Sequence, residues 1–331
     1  MNYKIIILSL LASTSLANAT NFSEDFAADP ATHGWQIFGD TSLFHWNTAN
    51  HNVEVTWDSS KPNSYFHHPL GAALSKSDDF SFAFDLRMAD ITAGTATNKP
   101  YTFQIAVGLI NLASASNPTF ARGAGINPAT GPVNLVEFNY FPDDPVFHFG
   151  TTISTTMISN TNQFSDGGFS FPFELTLNDL FHVEMTYTAS SRALVTTMTK
   201  NGQPFGPISD TTLGTNFTDF SVDQLAVSSY SDNGQDPDFG GSILAHGVMD
   251  NFTITYQIPP IKNLTGGLVS NNWQMKFNSL TNWLYTLEKT TDFQTWSNAS
   301  PTLAGTGPNM VLQDTNALTS KSFYRVHATQ P

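Results

Sequence analysis

Apolar and polar residues alternate along most of this chain, and that alternation constrains the fold more than any other feature. The stretch "FSFAFDLRM" puts Phe80, Phe82, Phe84 and Leu86 on one parity. In "FHVEMTYTA", Phe181, Val183, Met185 and Tyr187 share one parity, and His182, Glu184 and Thr186 the other. "ALVTTMT", "DQLAVSSY" and "MDNFTITYQI" behave in the same way. A period of two belongs to a strand, because successive side chains leave a strand on opposite faces. Turn signals such as Asn201-Gly202 and Asn233-Gly234 separate the runs. Long runs of Ala, Leu, Glu and Lys are missing. Many short strands without helical interruption predict an antiparallel β-sandwich.

The chain begins "MNYKIIILSLLASTSLANAT". Lys4 supplies a positive start, Ile5 to Leu11 a short apolar core, and Ala17-Asn18-Ala19 a small-residue cleavage site. This pattern predicts a signal peptide over 1–19, removed before Thr20. The apolar run falls short of the roughly 20 residues that span a bilayer, so no membrane insertion is expected after cleavage. The sequence contains no cysteine, which excludes disulfides, thiol catalysis and cysteine-based zinc sites. A secreted chain without disulfides fits bacterial export to the cell surface or the medium.

Charge divides the chain. Overall there are 27 acids against 13 bases, a formal net charge of −14. From Thr20 to Ile258, 24 acids face 7 bases, and from Pro259 onward 3 acids face 5 bases. The change falls at "QIPPIKNLTGG", which carries Pro259-Pro260 and Gly266-Gly267. The expected organisation is a large domain over 20–258, a linker over 259–267 and a small β domain over 268–331. Four segments of the small domain read as strands: "NWQMKFN", "LYTLEKT", "NMVLQDT" and "SFYRVHA", with Trp273, Trp283 and Trp296 expected in its core. Strong acidity argues against nucleic acid and anionic membranes as partners, and is compatible with neutral sugars and with cations.

The order of motifs in the large domain resembles the concanavalin-like lectin/glucanase superfamily, and within it the L-type lectins. "FSFAFDL" resembles an early sheet strand of those lectins, and "FQIAVGLIN" the strand that there reads Asp-Gly-Leu-Ala-Phe-Phe. "LVEFNYF" resembles their Val-Glu-Phe-Asp-Thr-Phe strand, and "HFGTTIS" the His-Ile-Gly-Ile strand that follows. "DLFHVEMTYTASSRALVTTM" resembles the next hairpin, and "LAVSSYSDNGQDPDFGGSILAHGVMDNFTI" the last strand pair with its variable loop. The likeness spans roughly Asn21 to Tyr256 and implies a jelly roll of twelve to fourteen strands. The small domain, with "YTLEKTTDFQTW", "GTG", "DT" and "FYRVHA", resembles a C-terminal module of exported bacterial proteins.

The resemblance carries a metal expectation to "NLVEFNYFPDDPVFHFG". In L-type lectins the matching strand and loop bind calcium and a transition metal. Carried over residue by residue, Glu137 takes the glutamate place, Asn139 that of the bridging aspartate, Asp143 (or Asp144) the loop ligand, and His148 the histidine. Calcium takes six to eight oxygens, and a transition metal accepts a histidine nitrogen. Two departures stand out. Asn139 is neutral, and the loop before His148 is short. The sugar-binding aspartate of the family has no counterpart, since "YTFQIAVG" offers Thr102 and Gln104. The alternative reading is a Glu137 hydrogen-bonded inside the sandwich, with Asp143-Asp144-Pro145 as a turn.

Other candidates are fewer. The loop "SDNGQDPDFGG" presents Asp232, Asn233, Asp236 and Asp238 as oxygen ligands for a sugar or a cation, without the closing glutamate of an EF-hand loop. Trp35 is a candidate sugar platform. Retaining glycosidases need two carboxylates about 5 Å apart, and the strand at Glu137 continues with Asn139 and Phe141 instead. The Arg, Gln-x-His and Tyr-x-Lys set of lyases with this architecture is not found. No catalytic residue is assigned. The leading expectation is a secreted, non-catalytic glycan-binding or adhesive protein with calcium as its one implied cofactor. Its expected partner is an extracellular glycan or surface component. A glycan-active hydrolase or lyase, or a structural surface protein without ligand, are the alternatives.

Overall fold

Residues that share a parity in the sequence are buried together. Phe80, Phe82, Phe84 and Leu86 are all buried, as are Phe181, Val183, Met185 and Tyr187, while Asp85 and His182 stand on the opposite face and bond to each other. The computed structural model describes residues 20–123, 133–146, 148, 150–161, 164–235, 237–257, 259–281, 283–317 and 322–329. The expected signal peptide and Asp236 lie outside these. The chain divides into two units between Gln257 and Ile258. Among the described residues no helix is long and apolar enough to cross a membrane.

The larger unit is an all-β, two-sheet jelly-roll sandwich. In its seven-stranded sheet the spatial order is Phe164–Ser170, Thr152–Ile158, Leu135–Phe141, Ile105–Ile110, Val222–Ser229, Ser64–Leu74 and Gln36–Phe38, each antiparallel to its neighbour. The nine-stranded sheet is built around Phe80–Ala93 and Ile243–Tyr256. The two sheets together hold 16 strands and exceed the expected twelve to fourteen through two-residue edge pieces, Gln203–Pro204 and Thr211–Thr212. Asn201 and Gly202 both have positive φ, at 50° and 76°, which is the turn geometry that an Asn-Gly pair favours in a tight hairpin. Between the sheets, Phe84 meets Phe138 edge-on at 5.7 Å, and Trp35 stacks on Phe66 at 4.4 Å.

One connection departs from the pattern. The chain from Asn111 to Arg122 does not turn directly back to the next strand but runs along the outer face of the seven-stranded sheet. It starts with a short helix, Leu112–Ala115, capped by the Asn111 side chain. Tyr65 Oη on the sheet donates to Ala115 O at 3.0 Å. Further along, Asn63 Nδ2 donates to Phe120 O at 3.2 Å. This crossing segment explains why the outer face is buried although no second sheet covers it.

The smaller unit is a second, small β-sandwich. Ile261–Val269, Asn272–Ser279 and Met310–Asp314 form one sheet. In the other, Leu284–Thr290 lies between Phe323–Thr329 and two short strands. Met275, Phe277, Trp283, Tyr285, Leu287, Met310, Leu312 and Val326 make the core. Two expectations change here. Most of the segment expected as a linker, 259–267, is strand: Ile261 and Leu264 pack on the core, and Gly266 sits where a Cβ would lie 2.6 Å from the Met275 sulfur. Trp296 does not join the core; the Arg325 guanidinium lies 4.2 Å over its ring.

Candidate functional site

The loops after several strands gather at one end of the larger sandwich. Gly94 N donates to Ser242 O at 2.8 Å, Tyr101 N to Gly240 O at 3.2 Å, and Asp232 N to Ser59 O at 2.8 Å. Thr102 Oγ1 donates to Pro142 O at 2.5 Å. The turns around 59–63, 94–102, 142–150 and 231–242 are thereby tied into one surface. Loops placed on a rigid sandwich are where binding residues concentrate.

Beneath this end lies the outer face of the seven-stranded sheet, and the strand register defines it. One row runs Tyr65, Ser228, Ala106, Asn139 and Ser154. The next runs His67, Ala226, Gly108, Glu137 and Thr156. Ala106, Gly108 and Ala226 leave the middle of the face low. Gly108 is required there, since a Cβ would fall 2.3 Å from Val136 O. Arg122, from the crossing segment, and Tyr230 settle over this floor, and the Arg122 guanidinium stands 5.9 Å over the Tyr230 ring.

Glu137 is fully buried in this cluster. Tyr230 Oη donates to its Oε1, and Arg122 Nε lies 3.4 Å from its Oε2. Burial raises the carboxyl pKa above the ordinary glutamate value, while Arg122 and Tyr230 pull it back down. Tyr230 and Tyr65 are pushed well up, first by burial and then by the Glu137 charge. Several neighbours have hydrogen-bonding capacity with no partner in the protein: both amide atoms of Gln104 and of Asn139, Ser228 Oγ and Arg122 Nη1. All four residues are nine-tenths buried or more.

The residues expected to ligate metal do not converge. Glu137 faces Arg122 and Tyr230. Asn139 shares its face but bonds to nothing in the protein. Asp143 accepts from Gly150 N at 3.0 Å and lies 3.5 Å from His148 Nδ1, at the exposed rim. Asp144 is buried and accepts from Val146 N, closing the turn. Among the described residues no group of three or more His, Asp or Glu could hold a metal ion. The donor set therefore does not fit calcium.

The remaining expected residues are distributed as follows. Trp35 is 3% exposed, and packs against Phe66, Phe252 and His68, so it is core rather than a sugar platform. Asp232 is buried, with Lys99 Nζ on both its carboxylate and its carbonyl (2.8 Å). Its other carboxylate oxygen accepts from Ser59 Oγ at 3.1 Å. Asn233 and Asp238 are exposed on the same loop.

Sequence reasoning missed the aromatic at this end. Phe171 is 66% exposed, the most open large apolar side chain among the described residues. It follows the Phe164–Ser170 strand, whose last residue pairs with Ile153. Phe173 N donates to Thr151 O at 3.0 Å, and Pro172 lies next to Gly150, whose N–H donates to Asp143. The signal in the sequence was "FSFPFEL": an alternating aromatic run stopped by proline, with nothing after it to cover the last ring.

No protein-family model matches the chain, and no curated protein sequence does. Solved structures with a similar fold include peanut lectin in complex with a 9-residue peptide, at 15% identity and a TM-score of 0.42, covering 73% of this chain and 100% of that one. Lectin II from Ulex europaeus is similar at 12% identity and a TM-score of 0.45, covering 72% and 98%. The alginate lyase Aly36B is similar at 11% identity and a TM-score of 0.40, covering 71% and 96%. No functional assignment rests on these likenesses.

Proposed function

We propose that this is an exported, non-catalytic carbohydrate-binding protein that takes a neutral glycan at the loop end of its larger sandwich. The observation that carries the reading is the open Phe171 ring on the same loop end as the exposed Asp143–His148 pair. An exposed aromatic face offers apolar contact to the C–H face of a sugar. A carboxylate on the same end accepts charge-assisted hydrogen bonds from hydroxyls. Asn233 and Asp238 extend the polar rim. Calcium, the cofactor that the lectin resemblance implies, has no part in this reading, because the donors expected for it do not meet at one point.

A hydrolase reading finds less support. Glu137 is the buried acid of the sheet, and the groups acting on its charge are Arg122 and Tyr230; neither is a second carboxylate at the spacing such chemistry needs.

The test is a neutral-glycan array with the purified mature protein, followed by calorimetry on any hit. Phe171→Ala is expected to lose binding at least tenfold, and Asp143→Asn severalfold, with unchanged melting temperatures. Binding by Phe171→Ala equal to the native protein, or no binding across the array, would overturn the proposal.

A further inference from the structure

Two places in this chain attract the expectation of a bound cation, and each already holds one that the protein supplies. At Glu137 it is Arg122. The guanidinium is 1% exposed, and Nε lies 3.4 Å from Oε2, while Tyr230 occupies the other oxygen. At the Asp232 loop it is Lys99. Its ammonium bonds one carboxylate oxygen and the carbonyl of Asp232, and Ser59 occupies the other oxygen.

We propose that Arg122 and Lys99 are resident cations: positioning residues that hold the loop end of the larger sandwich together where a metal would otherwise do so, so that this end forms without calcium.

The placement of each charge supports this. Lys99 belongs to the 94–102 turn and grips the 231–242 turn, which Asp232 N in turn fastens to Ser59 O. One ammonium thus joins two loops, and Asp232 ties them to a third through Ser59. Arg122 belongs to the crossing segment and grips the strand Leu135–Phe141 beneath it. At both points the acid's oxygens are engaged, so a divalent ion would have to displace protein donors to collect the six to eight oxygens it needs. It would also have to approach a fixed positive charge within contact distance, where the repulsion is strongest. A buried carboxylate without compensation is expensive. Here the compensation arrives with the chain and needs no ligand from outside.

The inference rests on the glycan reading only in naming this end as the binding end, and its test has an arm that does not use glycan. The full mature chain is melted after EDTA treatment, then with millimolar calcium. The native protein is expected to melt at the same temperature in all conditions. Lys99→Met and Arg122→Ala are expected to melt lower, the second by more. Methylguanidinium, which can refill the space left in Arg122→Ala, is expected to restore part of that loss, and calcium is expected to restore none. A lower melting point of the native protein in EDTA, or a higher one in calcium, would overturn the proposal, as would recovery of Arg122→Ala by calcium. If Arg122→Ala does not fold, Lys99→Met and the native protein still decide the question. In the glycan arm, binding that survives EDTA supports the inference and binding abolished by EDTA refutes it. An absence of glycan binding with the melting pattern intact removes the glycan reading alone.

Discussion

Asn139 is fully buried, and neither atom of its amide has a partner in the protein. Its row neighbours are Ala106 and Ser154, so its amide looks across a low, small-residue floor. An amide taken from water without new hydrogen bonds costs about 1–3 kcal/mol on the scale of protein mutations. Leucine at this position has the same branched outline but is larger; it removes that cost and adds buried apolar surface at roughly 25 cal/mol per Å². The added volume subtracts about 1–3 kcal/mol. Asn139→Leu should therefore stabilise the larger unit by up to about 2 kcal/mol, and with about 2–4 °C per kcal/mol for a domain of 150–250 residues the melting point should rise by a few degrees. Scanning calorimetry of the protein measures this directly. Gln104→Leu should act in the same direction, and the double variant should not be additive, because the two sites share one cluster. A clear fall in melting temperature for Asn139→Leu would refute the reasoning. It would mean that the amide makes good hydrogen bonds in solution, through internal water or a bound molecule, and that the cluster is not a cost to the fold.

Three further outcomes are expected. Gly108→Ala should lower the melting temperature sharply, since its Cβ would lie 2.3 Å from Val136 O and 2.7 Å from Glu137 Cα, both backbone atoms; a melting point equal to the native one would show that the two strands can separate there at no cost. Tyr285→Phe should unfold the smaller unit first, because the hydroxyl donates to Pro260 O and accepts from Leu280 N, each at 2.7 Å, and losing them leaves groups unpaired at about 1–3 kcal/mol; proteolysis of the C-terminal unit reads this out. Burial raises Asp250 above the ordinary aspartate value, followed by the nearby charges of Asp85 and Asp25. Its folded pKa thus exceeds its unfolded one, so this group's contribution falls as pH rises from about 3.8 through the folded value. Asp250→Asn should stabilise at pH 7 by less than about 1 kcal/mol, given how exposed the group is, and the gain should vanish in more acidic solution; a gain that persists unchanged there would contradict the assignment.

The all-β class and the inward residues were legible because a sandwich interior imposes a period of two on sequence. Phe80, Phe82 and Phe84 illustrate it: the pattern that predicted their common face is the pattern that burial selects. The Leu135–Phe141 strand was legible as a strand and misleading as a site. Both of its faces are buried, and sequence gives no sign of what covers the outer one. The cover comes from the Asn111–Arg122 segment, whose path depends on contacts as distant in sequence as Asn63 with Phe120. Arg122 was visible as one of four scattered arginines, but its partner, 15 positions away, follows only from that path. The linker expectation failed for a local reason. Pro259-Pro260 and Gly266-Gly267 read as breakers, yet Gly266 makes room for Met275 and Trp273 within a paired strand.

Charge placement bears on what the loop end can bind. Between Thr20 and Ile258 there are 24 acids and 7 bases. At the loop end Lys99 and Arg122 are already paired with carboxylates, which leaves Lys61 as the exposed cation of the 59–63 turn. The loop end presents Asp143 and, on its 231–242 turn, Asp238. An anionic glycan approaching it is repelled over a Debye length of about 8–10 Å at ordinary salt, whereas neutral hydroxyls find acceptors. The two ligand classes therefore respond oppositely to ionic strength. A neutral glycan should bind with a dissociation constant that changes less than about twofold between low salt and 1 M salt, because no net charge is screened on the ligand. An acidic glycan should bind more tightly as salt rises, since screening removes repulsion. Calorimetric titration at the two ionic strengths distinguishes them. Affinity for an acidic glycan that weakens with salt would require an exposed basic surface, and would move the binding site away from the Asp143 rim.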